Sequence, residues 1–352
     1  MMFEFNASNP ARALIVSDAW HPQINGVVRT IEWMVKEAPK FGVDLQVLGP
    51  ARFRTMAMPS YPEIRLTLAH PRSIRRAIRA EEPRAIHIAT EGPLGTVARR
   101  FCIKHGLGFT TSYHTRFPEY VAARVPIPES WSYAYMRRFH NAATGVMVAT
   151  PSLEDELRGR GFNNLVRWSR GVDLDRYFPR PAVKLPYPGP IFVYVGRVAV
   201  EKNLEAFLDL DLPGTKLIVG GGPALETLKA QYPDAVFVGP KLGEELAQYY
   251  AGSDVFVFPS LTDTFGIVLL EALASGLPVA AFPITGPIDV ITDPKVGVLS
   301  NDLREACLAA LTLNRDDCAA FAQNYSWHES AKAFFKHLYP LKADWSVLDY
   351  DH

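Results

Sequence analysis

The sequence predicts an α/β protein of two doubly wound lobes facing one another across a cleft, and three observations predict it. The chain has 352 residues, of which 48% are apolar, enough for about two domains with a core each. Short apolar or β-branched runs recur, each followed by a turn and a helix-like segment, as in a parallel sheet covered by helices. The series occurs twice, with a proline-rich stretch between. The first series is "ALIVS" (13–17), "VDLQVLG" (43–49), "AIHIAT" (85–90), "GFTTSY" (108–113) and "GVMVAT" (145–150). The second is "IFVYVG" (191–196), "KLIVGG" (216–221), "AVFVG" (235–239), "DVFVFP" (254–259), "LPVAAF" (277–282) and "GVLS" (297–300). Between them "RGVDLDRYFPRPAVKLPYPGP" (170–190) holds five prolines and no periodic apolar face, so it reads as a linker. The expected division is a Rossmann-like domain over 1–169, the linker 170–190, a second Rossmann-like domain over 191–325, and closing helices over 326–352.

Composition narrows the function classes. The formal net charge is zero, yet residues 1–170 contain 23 Lys/Arg against 14 Asp/Glu, and residues 171–352 contain 14 against 23. Arginines cluster between Arg52 and Arg84, so the first half either faces something anionic or carries a solvated helix face. Cys102, Cys307 and Cys318 have no disulfide, zinc-ribbon or thioredoxin spacing, which fits a reducing, cytoplasmic compartment. The N-terminus lacks the basic and apolar regions of an export signal, and no apolar run approaches the ~18 residues of a spanning helix.

Ligands of open α/β sheets bind beyond the carboxyl ends of strands, where helix N-termini present N–H groups. In the first lobe "SDAWHPQINGVVRT" (17–30) is such a loop, ending in Asn25 and Gly26, where the glycine serves either close approach to a phosphate or a turn. In the second lobe "YVGRVAVEKN" (194–203) ends a strand at Gly196 and then supplies Arg197 and Lys202. Two cations five residues apart can hold a diphosphate, one as a fork and one as a mobile point charge, or can pair locally with Glu201. In "FPSLTDTFGIVLLEALASGLPVAA" (258–281), Asp263 and Glu271 flank a Thr264, Phe265, Gly266 turn. Thr264 is expected to cap a helix through Ile267 and Val268, with Gly266 in its first turn. The carboxylates would grip hydroxyls, Asp263 on a sugar and Glu271 on a ribose, and the apolar neighbourhood disfavours two solvated charges.

These residues resemble the retaining glycosyltransferases of family 4, which have the GT-B fold: Gly196 with Arg197, Glu201 with Lys202, and the pair of carboxylates at 263 and 271 around Phe-Gly follow that family's pattern. "SDAWHPQINGVVRT", "TSYHTRFPEY" and "RGVDLDRYF" resemble the subgroup of sulfoquinovosyl-diacylglycerol synthases and bacterial lipid glycosyltransferases. Asp263 departs from the family's usual Glu, keeping the charge on a shorter arm. The resemblance implies transfer of a hexosyl or hexuronosyl group from a nucleotide-diphosphate sugar, UDP-sugar first and GDP-mannose as alternative, to a hydroxyl acceptor with retention. It implies that His114 contacts the donor sugar near the reacting carbon, and that Pro240, Lys241 and Leu242 hold the base. A nucleotide-sugar 2-epimerase on the same fold is the rival enzyme class, with Asp18, Glu91 and Glu119 as its acid/base candidates in the first lobe. A non-catalytic two-lobed binding protein is the third.

The Asp-x-Asp pairs at 173–175 and 209–211 resemble a metal motif of other glycosyltransferases; one lies in the linker and the other before a Pro-Gly turn, so no cofactor and no metal requirement is expected. No nucleic-acid partner is implied. The acceptor expected from the resemblance is a membrane lipid such as diacylglycerol. Arg72, Arg75, Arg76 and Arg79 share one helix face, and "VPIPESWSYAYMRRF" (125–139) adds Trp131, Tyr133 and Tyr135 beside Arg137 and Arg138. These either dock the enzyme peripherally on the anionic inner face of the cell membrane or, for the aromatics, pack the core.

Overall fold

The computed structural model describes residues 11–23, 25–58, 61–68, 70–114, 118, 128–263 and 265–346. The chain divides into two compact units, Met1–Ser169 together with Trp327–His352, and Arg170–Ser326. The proline-rich stretch 170–190 thus clusters with the second unit. The chain's last helix returns to the first.

The first unit contains strands β1 (Ala11–Val16), β2 (Val43–Leu48), β3 (Thr55–Met58), β4 (Tyr61–Thr67), β5 (Ala85–Ile88), β6 (Thr110–Ser112), β7 (Gly145–Val148) and β8 (Leu165–Arg167). Six of them form a parallel sheet in the order β2-β1-β5-β6-β7-β8, and β3 and β4 form a separate antiparallel ribbon. Strands β5 and β7, "AIHI" and "GVMV", are buried along their whole length, which is what covering both faces of a parallel sheet requires. The described helices here are α1 (Gly26–Glu37), α2 (Pro71–Ala80), α3 (Pro93–Lys104), α4 (Glu129–His140) and α5 (Pro151–Gly159).

The second unit contains β9 (Ile191–Val195), β10 (Thr215–Val219), β11 (Val236–Phe237), β12 (Val255–Phe258), β13 (Val279–Ala281) and β14 (Gly297–Leu299). They form one parallel sheet in the order β11-β10-β9-β12-β13-β14. Its helices are α6 (Glu205–Leu208), α7 (Leu225–Gln231), α8 (Gly243–Ala251), α9 (Ile267–Ala274), α10 (Pro287–Val290), α11 (Leu303–Ala310) and α12 (Arg315–Ala322). The predicted architecture of two Rossmann-like lobes is what the structure shows.

The last helix, α13 (Trp327–His337), packs on the first unit through aromatic residues: Trp327 stacks on Trp33 of α1 with centroids 5.5 Å apart, and Phe334 and Phe335 are fully buried. Each such ring contributes about 2 kcal/mol of burial, enough to hold the helix there. Of the closing helices expected over 326–352, this one is present, and the described residues 338–346 that follow it are irregular.

Two details correct the sequence reading. The β3–β4 ribbon and edge strand β8 were not foreseen. Helix α9 begins at Ile267, later than expected, because Gly266 takes φ +80° and stands outside the helix as its N-cap. The expected cap, Thr264, lies outside the described residues.

Candidate donor site

In each sheet the strand order reverses once. In the first it reverses between β1 and β5, in the second between β9 and β12. Loops leaving the carboxyl ends of such neighbours diverge and leave a crevice, the usual ligand position in this architecture.

At the second unit's switch point the two loops carry the predicted charged residues. Lys202 follows β9 and Asp263 follows β12, and they meet: the ammonium lies 2.7 and 2.8 Å from the two carboxylate oxygens, with both side chains about four-fifths buried. The loops are tied by two further bonds. Thr262 donates from its hydroxyl to the Glu201 carbonyl at 3.2 Å, and Asn203 donates from its amide to the Pro259 carbonyl at 3.1 Å. Asn203 takes φ +52°, a left-handed conformation that asparagine tolerates better than most residues. Arg197 is half-buried one residue past Gly196, and its carbonyl accepts from the buried Tyr194 hydroxyl at 2.8 Å. Burial holds that phenol well above its ordinary range, with the charges of Asp263 and Glu201 adding to the effect.

Glu271 is one turn into α9, only 4% exposed, and accepts from the Tyr250 hydroxyl of α8 at 2.9 Å. A buried carboxylate oriented by a tyrosine is preset for hydroxyl donors. Phe265 is buried, while Ile267 and Val268 are half-buried at the start of α9. Pro240 and Leu242 are exposed; Lys241 is half-buried and paired with Glu245 at 2.5 Å.

A component the sequence reading passed over is the glycine run 220–222 after β10, although three consecutive glycines at a strand end were visible. Gly196 N–H donates to Val219 at 3.0 Å, Val198 N–H to Gly221 at 2.9 Å, and Gly220 N–H to Gly239 at 2.9 Å. A Cβ on Gly220 would sit 1.8 Å from the Gly196 carbonyl oxygen. Only glycine lets the loops after β9, β10 and β11 pack backbone against backbone. Asn203, Thr262 and Tyr250 were likewise missed, since their partners are distant in sequence.

In the first unit the predicted residues are separately employed. Asn25 caps α1, accepting from Val27 and Val28 N–H at 3.0 Å each, and Gly26 is the first helical residue. His114 stands two residues beyond β6, half-buried, its ring edge-on to Trp168 at 5.8 Å. The switch point between β1 and β5 is filled by Asp18. Its carboxylate accepts from Leu94 and Gly95 N–H at 2.9 and 3.2 Å and from the Thr90 hydroxyl at 3.0 Å, capping α3. Burial raises its pKa, against the pull of those donors. The Glu91 carboxylate accepts from the Nε2–H of the fully buried His140 at 3.0 Å. Asp18 and Glu91, the acid/base candidates of the epimerase reading, are therefore both engaged in structural contacts; Glu119 lies outside the described residues.

One carboxylate of each Asp-x-Asp pair is also engaged locally. Asp173 lies 3.8 Å from Arg176, and Asp209 accepts from the Tyr232 hydroxyl at 2.6 Å. On α2, Ile74 and Ile78 are buried, Arg72 and Arg76 are exposed, but Arg75 and Arg79 are half-buried, with Arg79 donating to the Ser346 carbonyl at 3.2 Å. On α4, Trp131 is 71% exposed, and Tyr135, Arg137 and Arg138 are exposed. Arg137 donates to the Arg160 carbonyl at 3.1 Å. Tyr133 takes the core alternative: it is buried against Met136, Leu153 and Phe162 because its side of the amphipathic helix faces the core.

The chain resembles known proteins in sequence and in fold. Residues 24–176 match the family described as Glycosyltransferase Family 4, and residues 189–316 match Glycosyl transferases group 1. A GDP-mannose-dependent alpha-mannosyltransferase of Mycobacterium tuberculosis is 31% identical over 314 residues, 82% of this chain and 83% of that protein. The sulfoquinovosyl transferase SQD2 of Arabidopsis thaliana is 32% identical over 75% of this chain and 56% of its own length. An alpha-monoglucosyldiacylglycerol synthase of Streptococcus pneumoniae is 25% identical over 94% of this chain and 85% of that protein. In fold, the chain is similar to a sucrose-phosphate synthase from Thermosynechococcus elongatus, with a TM-score of 0.76 at 21% identity, covering 93% of this chain and 97% of that one. Through the sequence match along most of its length, and a fold similar to that neighbour's, this chain belongs to family 4 of the glycosyltransferases and has the GT-B fold, with lipid glycosyltransferases among its relatives.

Proposed function

We propose that the protein transfers a hexosyl or hexuronosyl group from a nucleoside-diphosphate sugar to a hydroxyl of a membrane lipid such as diacylglycerol, with retention at the anomeric carbon and without a metal. The observation that carries the reading is the convergence of Lys202 and Asp263 at the β9/β12 switch point, with Arg197 in the same loop as Lys202 and Glu271 in the helix that follows Asp263. The bond from the anomeric carbon to the diphosphate oxygen breaks while the acceptor oxygen bonds to that carbon on the same face. The acceptor's proton passes to the departing phosphate oxygen. Negative charge grows on the diphosphate as it leaves, so Arg197 and Lys202 stabilise the transition state more than the ground state. Glu271 holds the ribose hydroxyls, the backbone at 240–242 holds the base, and His114 contacts the sugar.

Support for a lipid acceptor comes from the relative named for diacylglycerol. A UDP-sugar is the first donor reading. GDP-mannose is the second, supported by the 31% identity to a GDP-mannose-dependent enzyme. The test incubates the purified protein with diacylglycerol vesicles and, in turn, UDP-glucose, UDP-galactose, UDP-glucuronate and GDP-mannose, in EDTA. One donor should yield glycolipid with an α linkage. A β linkage seen by NMR coupling would overturn retention, activity appearing only with added Mn²⁺ or Mg²⁺ would overturn metal independence, and conversion of donor to its 2-epimer without acceptor would favour the epimerase.

A further inference from the structure

We propose that Asp263 acts as a latch on Lys202 that a sugar-bearing diphosphate opens and a bare nucleoside diphosphate opens poorly, so that the latch favours donor over product and helps expel the product after transfer. The inference rests on the reading of this crevice as the donor site.

Three observations carry it. Lys202 is held by both oxygens of one carboxylate, at 2.7 and 2.8 Å, in a place where about four-fifths of each side chain is shielded from water. Screening there is weak, so the pair competes seriously with any incoming anion. Next, the bonds from Thr262 to Glu201 and from Asn203 to Pro259 tie the two loops independently of the pair. When the lysine turns towards a phosphate, the loops have no reason to part. The flexible four-carbon stem moves and the short aspartate arm stays. Finally, residue 263 carries the shorter of the two acidic side chains, which leaves the carboxylate near the loop and within reach of Lys202.

The consequence is an exchange of partners. A donor takes the ammonium with its diphosphate and compensates the freed carboxylate with sugar hydroxyls, which donate to it. A bare diphosphate takes the ammonium and leaves an uncompensated carboxylate beside its own negative charge. After transfer the sugar hydroxyls are gone, and Asp263 recaptures Lys202. Asp263 is thus a determinant of the difference between donor and product affinity, in addition to touching the sugar.

Calorimetric titration of UDP and GDP into the wild type, Asp263→Asn, Lys202→Gln and the double variant tests this. Asp263→Asn should bind the preferred diphosphate about tenfold more tightly than the wild type, the size of a modest coupling between close charges. In the Lys202→Gln background the same change should give clearly less tightening, because there is no lysine to release and only the repulsion between carboxylate and phosphate is relieved. Asp263→Ser provides a second neutral variant with the same expectation should the amide fail to fold. Equal affinities of wild type and both neutral variants would overturn the latch. So would undiminished tightening in the Lys202→Gln background, which would mean plain repulsion between Asp263 and phosphate. A wild type that binds neither UDP nor GDP would instead overturn the donor-site reading itself.

Discussion

Arg197 and Lys202 are five residues apart and are expected to act on the same leaving group in different ways. The guanidinium is a fixed fork and the ammonium a mobile charge. Arg197→Ala and Lys202→Ala should each lower turnover by on the order of 10²-fold, with donor KM changing less, because each removes stabilisation of charge that develops as the bond breaks. Glu271→Gln should instead mainly raise donor KM, since ribose contacts are made equally in ground and transition states. Steady-state kinetics on the preferred donor checks both, and near wild-type kcat for either cation variant at saturating donor would contradict the assignment. At this scale the residue types were legible in the sequence, as was the placement of Gly196, Arg197 and Lys202 after a strand and of Glu271 in a helix. The pairing of Lys202 with Asp263 was not, because it joins side chains 61 positions apart through a sheet order that no local pattern encodes. The two readings of Tyr133, docking or core, stayed open for the complementary reason: aromatic residues beside arginines look alike whether they face solvent or core until the helix face is known.

The loops after β9, β10 and β11 form one backbone-bonded floor, and Gly220 is where it is tightest. A Cβ there meets a carbonyl oxygen at 1.8 Å, whereas one on Gly239, at φ +74°, meets nothing within 4 Å. Gly239→Ala should therefore cost about 1 kcal/mol, the ordinary strain of a left-handed residue. Gly220→Ala should cost more than about 3 kcal/mol and weaken nucleotide binding with it, since the neighbouring loop must move. Urea unfolding with a parallel nucleotide titration separates the two; equal losses would show that the floor is pliable. The central strands of both sheets were legible because burial on both faces leaves continuous apolar runs. The β3–β4 ribbon and β8 were not: the ribbon stands outside the main sheet, and "LVR" at the sheet edge is only partly buried. Helix α9 was placed early because the conformation of Gly266, which ends the turn, is a property of the folded loop.

Across the molecule, charge is divided between the units. The first unit, with its returning C-terminal segment, holds 25 Lys/Arg against 18 Asp/Glu. No described helix is long and apolar enough to cross a membrane. For the proposed lipid acceptor the expected route is docking of exposed basic and aromatic residues on the bilayer, and the structure sorts the candidate contacts. Arg72 and Arg76 are exposed, while Arg75 and Arg79 are half-buried and Arg79 is hydrogen-bonded to Ser346. The four-arginine face expected from spacing is in effect a pair of open cations flanked by two partly committed ones. Trp131, 71% exposed beside other open residues of α4, is an aromatic ring with no core to fill. Each exposed basic residue near an anionic bilayer contributes roughly 1 kcal/mol. Reversing both Arg72 and Arg76 to Glu should therefore weaken binding to phosphatidylserine-containing vesicles by at least about tenfold. Arg79→Glu should instead act mainly by lowering stability, since it removes the donor to Ser346. Trp131→Ala should weaken vesicle binding in a way that salt does not reproduce, because interfacial aromatics bind through their apolar rings. Co-sedimentation across a salt and phosphatidylserine series measures all three. Failure of the wild type to bind any vesicle at low salt, with good turnover on a soluble sugar acceptor, would leave the family assignment standing and remove the lipid from the proposed reaction.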